Sequence, residues 1–94
     1  MAASTVQRND ERSRYELLVD DEVVGIADFR DADEVLVFPH TEISPALRGQ
    51  GLGAALVRGA LDDVRAQAKS VVPQCWYVRQ FIAEHPDYAD LVAA

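Results

Sequence analysis

The sequence predicts one mixed α/β domain in which a small sheet is covered by helices, and three observations predict it. Three runs rich in Val, Ile, Leu, Phe and Thr lie between Tyr15 and Ser44, separated only by short polar turns. After a glycine-rich elbow the apolar spacing switches to a helical period. A short apolar run and a second amphipathic stretch then close the chain, which gives the order β-β-β-α-β-α.

Residues 1–13 are polar and aperiodic, and a flexible N-terminus is expected there, with the domain proper spanning 14–94. Tyr15 to Val19 reads as a strand, Asp20-Asp21-Glu22 as a tight turn, and Val23 to Arg30 as a second strand, so the pair forms an antiparallel hairpin. Asp31-Ala32-Asp33 is a further turn, and Glu34 to Ser44 makes a third strand that Pro45 ends, having no N–H for the ladder. From Gly51 to Lys69 one stripe carries Leu52, Leu56 and Ala60, with Val57, Leu61, Val64 and Ala68 beside it, while Arg58, Asp62, Arg65 and Lys69 take the wet side. Val71-Val72 is a fourth strand, reached through a crossover helix and therefore parallel to the third. Tyr77, Val78, Phe81 and Ile82 mark a second helix, and Pro86 to Val92 a final short one.

Ninety-four residues hold one core and no separate cofactor and substrate domains, so any site is built into a single sheet and its helices. A single cysteine excludes an internal disulfide, and no apolar run approaches the ~18 residues of a membrane span. The first residues lack the plan of a secretion signal, which makes a cytoplasmic protein the expectation, with no membrane partner. The net charge of −7 argues against nucleic acid, whose binding needs clustered Lys and Arg. An acidic surface suits a cationic small-molecule or protein substrate, such as a lysine side chain or a polyamine, and serves solubility equally well. Two histidines and one cysteine, far apart in sequence, provide no metal-ligand framework. No long apolar edge is evident, and a monomer is expected.

The elbow, Ile43-Ser44-Pro45-Ala46-Leu47-Arg48-Gly49-Gln50-Gly51-Leu52-Gly53, carries the functional signal. Three alternating glycines remove side chains that would hold a bulky anion off the backbone, and they supply N–H groups where a helix begins. One glycine would suffice for a mere strand-to-helix turn. Gly49, Gly51 and Ala54 formally satisfy G-x-G-x-x-G/A, but a dinucleotide site needs an acid about 20 residues on, where Val71-Val72-Pro73-Gln74 stands. A nucleotide-hydrolase loop needs Lys and Ser or Thr after the last glycine, where Ala54 and Ala55 stand.

What survives, Ile43-x-Pro45-x-x-Arg48-Gly49-x-Gly51-x-Gly53, resembles the pyrophosphate-binding motif of the GNAT superfamily of acyl-CoA-dependent N-acetyltransferases. The tail Pro73-x-Cys75-x-Tyr77-Val78-x-x-Phe81-Ile82-x-x-His85-Pro86-x-Tyr88, with His40-Thr41-x-Ile43 upstream, is similar to the small single-domain branch of that superfamily. The likeness runs from about Tyr15 to Leu91. It implies a minimal GNAT-like fold and acetyl-CoA as acyl-donor cosubstrate, without metal. It also implies direct transfer of an acetyl group to a primary amine.

On that likeness the backbone of Gly49, Gln50, Gly51, Leu52, Gly53 and Ala54 meets the pyrophosphate with Arg48 close by, and Thr41 and Ile43 offer backbone groups to the pantetheine arm. Strand alternation puts His40 and Glu42 on one side and Thr41 and Ile43 on the other. An imidazole, ordinarily titrating near ~6.5, suits a general base, and Glu42 is a second candidate through water. Cys75 is open between three roles: acid to the departing thiolate, acetyl-accepting nucleophile, or small buried hydrophobe. Trp76, Tyr77, Phe81 and Tyr88 are core or groove wall, Tyr77 also standing as a lesser candidate acid, and His85 caps or packs. The rival reading is a non-catalytic domain that binds CoA as sensor or scaffold.

Overall fold

A computed structural model describes residues 4–93. The elements, in chain order, are β1 (Ser4–Asn9), β2 (Arg14–Val19), β3 (Glu22–Ala32), β4 (Val35–Ile43), a 3-10 turn at Pro45–Leu47, α1 (Leu52–Ala66), β5 (Ser70–Pro73), α2 (Trp76–Glu84) and a 3-10 segment at Pro86–Leu91. The strands make one sheet in the order β1-β2-β3-β4-β5, antiparallel except for the parallel β4–β5 pair. The expected mixed α/β architecture with a crossover helix is thus present. No helix among the described residues is long and apolar enough to cross a membrane.

One expectation is corrected at the N-terminus. Of residues 1–13, Met1 to Ala3 lie outside the described residues, but Ser4–Asn9 is a fifth strand in register with β2, not a loose tail. Its fit to the fold is mostly polar, which is why no apolar period marks it. Val6 packs against Gly59 of α1, Arg8 reaches Asp63 at 2.9 Å, and Gln7 and Asn9 donate to Glu16 on the opposite face.

The β2–β3 hairpin turns through Asp20 and Asp21, both at positive φ, the geometry of a two-residue turn whose twist matches the strands. The predicted turn at 31–33 is shorter than expected, because β3 runs on to Ala32 and only Asp33 takes a positive φ. Helix α1 also stops earlier than its apolar period suggests. Ala68 adopts a left-handed φ of 58°, and the Lys69 N–H returns to the Val64 carbonyl at 3.1 Å, closing the helix as a glycine-type cap without a glycine.

The core lies between the sheet and the two helices. Leu56, Val57, Ala60, Leu61 and Val64 of α1 meet Tyr15, Leu17, Ala27, Phe29, Leu36 and Phe38 of the strands, and Val78, Phe81 and Ile82 of α2 extend it. Each such Leu, Val or Phe contributes roughly 1.5–3 kcal/mol by burial. Tyr88 and Leu91 seal one side. The Tyr88 hydroxyl donates to Asp62 at 2.6 Å, and Arg58 and Arg65 lie over its ring. Beyond them Val92 bridges to Val71, and the Ala93 N–H bonds the Val71 carbonyl along the outer side of β5.

The helix-free face of the sheet holds one buried carboxylate. Glu16 accepts from Gln7 at 3.0 Å, Asn9 at 3.2 Å and Arg14 at 2.9 Å. The Gln7 hydrogen bond, with those of Arg14 and Asn9, holds its acid below the ordinary 4.5 despite burial. A lowered acid adds stability above its unfolded value and loses it as pH falls through the folded one. Urea denaturation should therefore show the wild type weakening below about pH 4.5. Glu16→Ala should cost about 2 kcal/mol at neutral pH and flatten that acid limb. Ala68→Gly should raise stability by about 1 kcal/mol in the same assay.

Candidate active site

The site begins with a fault in a strand. Between Asp28–His40 and Arg30–Val37 the register of β3 and β4 slips, so that Phe29 alone stands against both Phe38 and Pro39. Proline has no ladder donor and fits at such a bulge. Before the slip, Leu36 and Phe38 face the core; after it, Thr41 and Ile43 take the helix side, and His40 and Glu42 turn to the open face. A one-residue slip exchanges the faces of everything that follows.

The same place ends the pairing of β4 with β5. The last pair is Phe38–Pro73, and the Cys75 N–H closes on the Phe38 carbonyl at 2.8 Å. The chain then leaves into α2, while β4 continues to Ile43 with β3 alone beside it. The Ser44 N–H bonds the Val24 carbonyl, which by the antiparallel register makes Glu42–Ile26 and His40–Asp28 the hydrogen-bonded pairs. Thr41 and Ile43 accordingly turn their N–H and C=O groups away from β3, into the gap where β5 has departed.

That gap is a groove of about 830 Å³ whose walls include Pro39 to Ile43, Arg48, Gly49, Gly51, Leu52 and Gly53, and Gln74 to Tyr77. The size is that of a small-molecule or cofactor site. Its floor at one end is the start of α1, where the first helical bond runs from the Ala55 N–H to the Gly51 carbonyl at 3.2 Å and no side chain caps the helix. The N–H groups of Leu52, Gly53 and Ala54 are therefore left to an outside acceptor at the positive end of the helix dipole.

The glycines differ in what requires them. Gly49 and Gly51 sit at φ of 84° and 76°, and a Cβ on either would meet nothing within 4 Å, so conformation and open space are what they provide. Gly53 makes room inside the protein instead. A Cβ there would stand 2.6 Å from the Tyr77 hydroxyl. The donor set, a run of unused backbone N–H groups with Arg48 at its edge, fits a diphosphate.

Across the groove, the Cys75 thiol lies 3.6 Å from the Thr41 hydroxyl and is nearly buried. On the open face His40 Nε2 and Glu42 Oε1 are 3.1 Å apart, both side chains more than half exposed. Of the residues expected from sequence, His40, Thr41, Glu42, Ile43, Arg48, Gly49, Gly51, Leu52, Gly53 and Cys75 converge on this one groove. Gln50 and Ala54 do not line it: Gln50 is exposed, and Ala54 packs on the core, so only its backbone N–H bears on the site. Arg58, two turns into α1, lies 5.5 Å over the Phe81 ring and 5.7 Å over Tyr88 and leaves the groove's positive charge to Arg48 and Arg79. Phe81 and Tyr88 are core, and His85 caps α2, its Nδ1 2.8 Å from the Phe81 carbonyl and its ring stacked on Phe81.

The sequence reading missed Pro39, Gln74 and Arg79. Pro39 carried a signal, a proline inside a strand-like run. Arg79 holds the β5–α2 turn through the Pro73 and Gln74 carbonyls at 3.3 and 2.7 Å, a short-range contact that no sequence motif marks. Trp76 is wall and not core, 65% exposed at the groove's rim. Burial raises the Tyr77 phenol, with Glu84 adding to the effect, so it stays protonated at neutral pH.

A family model described as GCN5-related N-acetyl-transferase matches residues 14–91. The chain belongs to the GCN5-related N-acetyltransferase family. A solution structure of a GCN5-like protein from Staphylococcus aureus shares the fold, with a TM-score of 0.70 over 96% of this chain and 88% of that one at 16% identity. Protein NATD1 of Bos taurus is 38% identical over 47 residues, which is 50% of this chain and 42% of that protein. NATD1 of Danio rerio is 33% identical over 55 residues, 56% of this chain and 50% of that protein. The chain thus spans about half the length of the curated relatives it matches.

Within this family fold the two kinds of glycine should separate experimentally. Gly53→Ala should destabilise by about 1–3 kcal/mol in urea melts through its clash with Tyr77. Tyr77→Phe, which removes the hydroxyl, should recover part of that loss in the double variant.

Proposed function

We propose that this family member is an acetyl-CoA-dependent N-acetyltransferase acting on a primary amine by direct transfer. The observation that carries the reading is the convergence on one groove of an uncapped helix start, a stretch of β4 with unpaired backbone groups, and the His40–Glu42 pair. Acetyl-CoA, when bound, would supply an acetyl group activated as a thioester and leave as CoA thiol.

The chain's own contributions follow from its geometry. The N–H groups at the head of α1 and Arg48 hold the diphosphate end. The backbone of Thr41 and Ile43 aligns the pantetheine arm by strand-like hydrogen bonds. Glu42 Oε1 stands 3.1 Å from His40 Nε2, which favours a proton on that nitrogen and leaves Nδ1 to take one from the acceptor ammonium, freeing the amine that attacks the thioester. Glu42 is then the positioning group for His40 and a site of attraction for a cation. The Cys75 S–H donates to Thr41 and can turn to the departing sulfur. This reading makes Cys75 a proton source, with the acetyl group never resident on it.

The test joins calorimetric CoA binding to acetyl-CoA turnover with amine acceptors. His40→Ala should lower kcat about a hundredfold or more with CoA affinity within about twofold of wild type. Gly51→Val, by contrast, should abolish the CoA-dependent rise in Tm. Wild type that binds CoA yet transfers acetyl to no amine would replace the enzyme by the sensor. A Cys75→Ala variant with undiminished turnover would remove that residue from the chemistry.

A further inference from the structure

A second cavity, of about 330 Å³, adjoins the groove and shares Glu42, Ile43 and Arg48 with it. Its other walls are mostly apolar: Val23, Val24, Gly25 and Ile26 of β3, and Pro45, with Ser44 the one hydroxyl. Among the described residues only Val23, Trp76 and Val92 are large apolar side chains left exposed. Two of those three line the two cavities, Trp76 the groove and Val23 this one. Exposed apolar area beside a charged group is what an amphipathic ligand would cover.

The two ends of the cavity are chemically distinct. At the inner end stands Glu42, cross-strand partner of Ile26 and 3.1 Å from His40 Nε2, with Asp28 directly opposite His40 in the ladder. At the outer end Val23 follows the hairpin turn Asp20-Asp21-Glu22, three exposed acids in succession. An unbranched alkyl stem along Val23, Val24 and Ile26 would run from Glu42, on the cavity wall, toward the exposed turn acids that precede Val23 in the chain.

We propose that this cavity is the acceptor subsite and that its occupant is a small aliphatic diamine or polyamine, one ammonium at Glu42 and the other at the turn. The proposal rests on the acetyltransferase reading, for it delivers the inner nitrogen beside His40. A peptide lysine presents one ammonium and would leave the outer acids unmatched. Arg48 is the one cation on the cavity's wall, and it opposes a cationic guest until an anion pairs it. A CoA diphosphate would do so, and amine binding is accordingly stronger after CoA than before it.

Titrations of the isotope-labelled protein followed by NMR, with and without CoA, test this using cadaverine, n-pentylamine, methylamine and a lysine-containing peptide. Expected are amide shifts confined to residues 20–26 and 40–45, and cadaverine binding about fivefold more tightly than n-pentylamine. That preference should vanish in the combined Asp20→Asn, Asp21→Asn, Glu22→Gln variant. Val23→Ser should weaken both longer amines while leaving methylamine and CoA affinity unmoved. Shifts that map elsewhere, or a peptide that binds more tightly than cadaverine, would overturn the proposal. Cadaverine that binds here but is never acetylated would sink the catalytic reading and keep the amine subsite.

Discussion

Pro39 has no N–H, and the ladder between β3 and β4 gives way at that residue. From this one deficiency follow two consequences at once. The slip carries His40 and Glu42 to the open face and Thr41 and Ile43 to the helix side, and β5 finds its last partner at Phe38. A regular β4 would instead face His40 and Glu42 toward α1, where two ionisable groups would need partners the core does not offer.

The head of α1 depends on that opening in turn. The unused N–H groups of an uncapped helix start are tolerable only where water or a ligand can reach them. The departing β5 leaves such a space, and Gly49 and Gly51 keep its wall free of side chains. Tyr77 locks the arrangement from the other side by resting where a residue larger than glycine at position 53 would project. The site is thus assembled from absences of regular structure, a missing ladder bond, an unpaired strand half and an uncapped helix, each held in place by ordinary core packing around it.

How much of this the sequence disclosed varied with the physics behind each part. The glycine elbow, the hairpin and the parallel β4–β5 pair were legible because turn chemistry and the switch between periods of two and 3.6 are local. The alternation of residues 40–43 was legible for the same reason, but which face each pair takes was not, because the bulge at Phe38–Pro39 decides it. β1 was not, because Val6 is its sole apolar anchor and its other contacts are polar bonds to Glu16 and Asp63, distant in sequence. The partner of Arg58 was equally hidden: a helix wheel shows that a side chain faces outward, but not that an aromatic segment from the C-terminus comes to lie beneath it. Residue type left Trp76 open between core and groove wall, and the early exit of β5 decides for the rim.

The bridge from Val92 and Ala93 to Val71 has a bearing on how the molecule lives in a crowded solution. A short outer strand such as β5 exposes a row of hydrogen-bonding groups that invites another chain to add itself. Here Val92 and Ala93 occupy part of that row, held down by Tyr88 between two arginines. These two residues act as a built-in guard against edgewise self-association at β5, so whatever segment or tag follows Ala93 pulls directly on that guard.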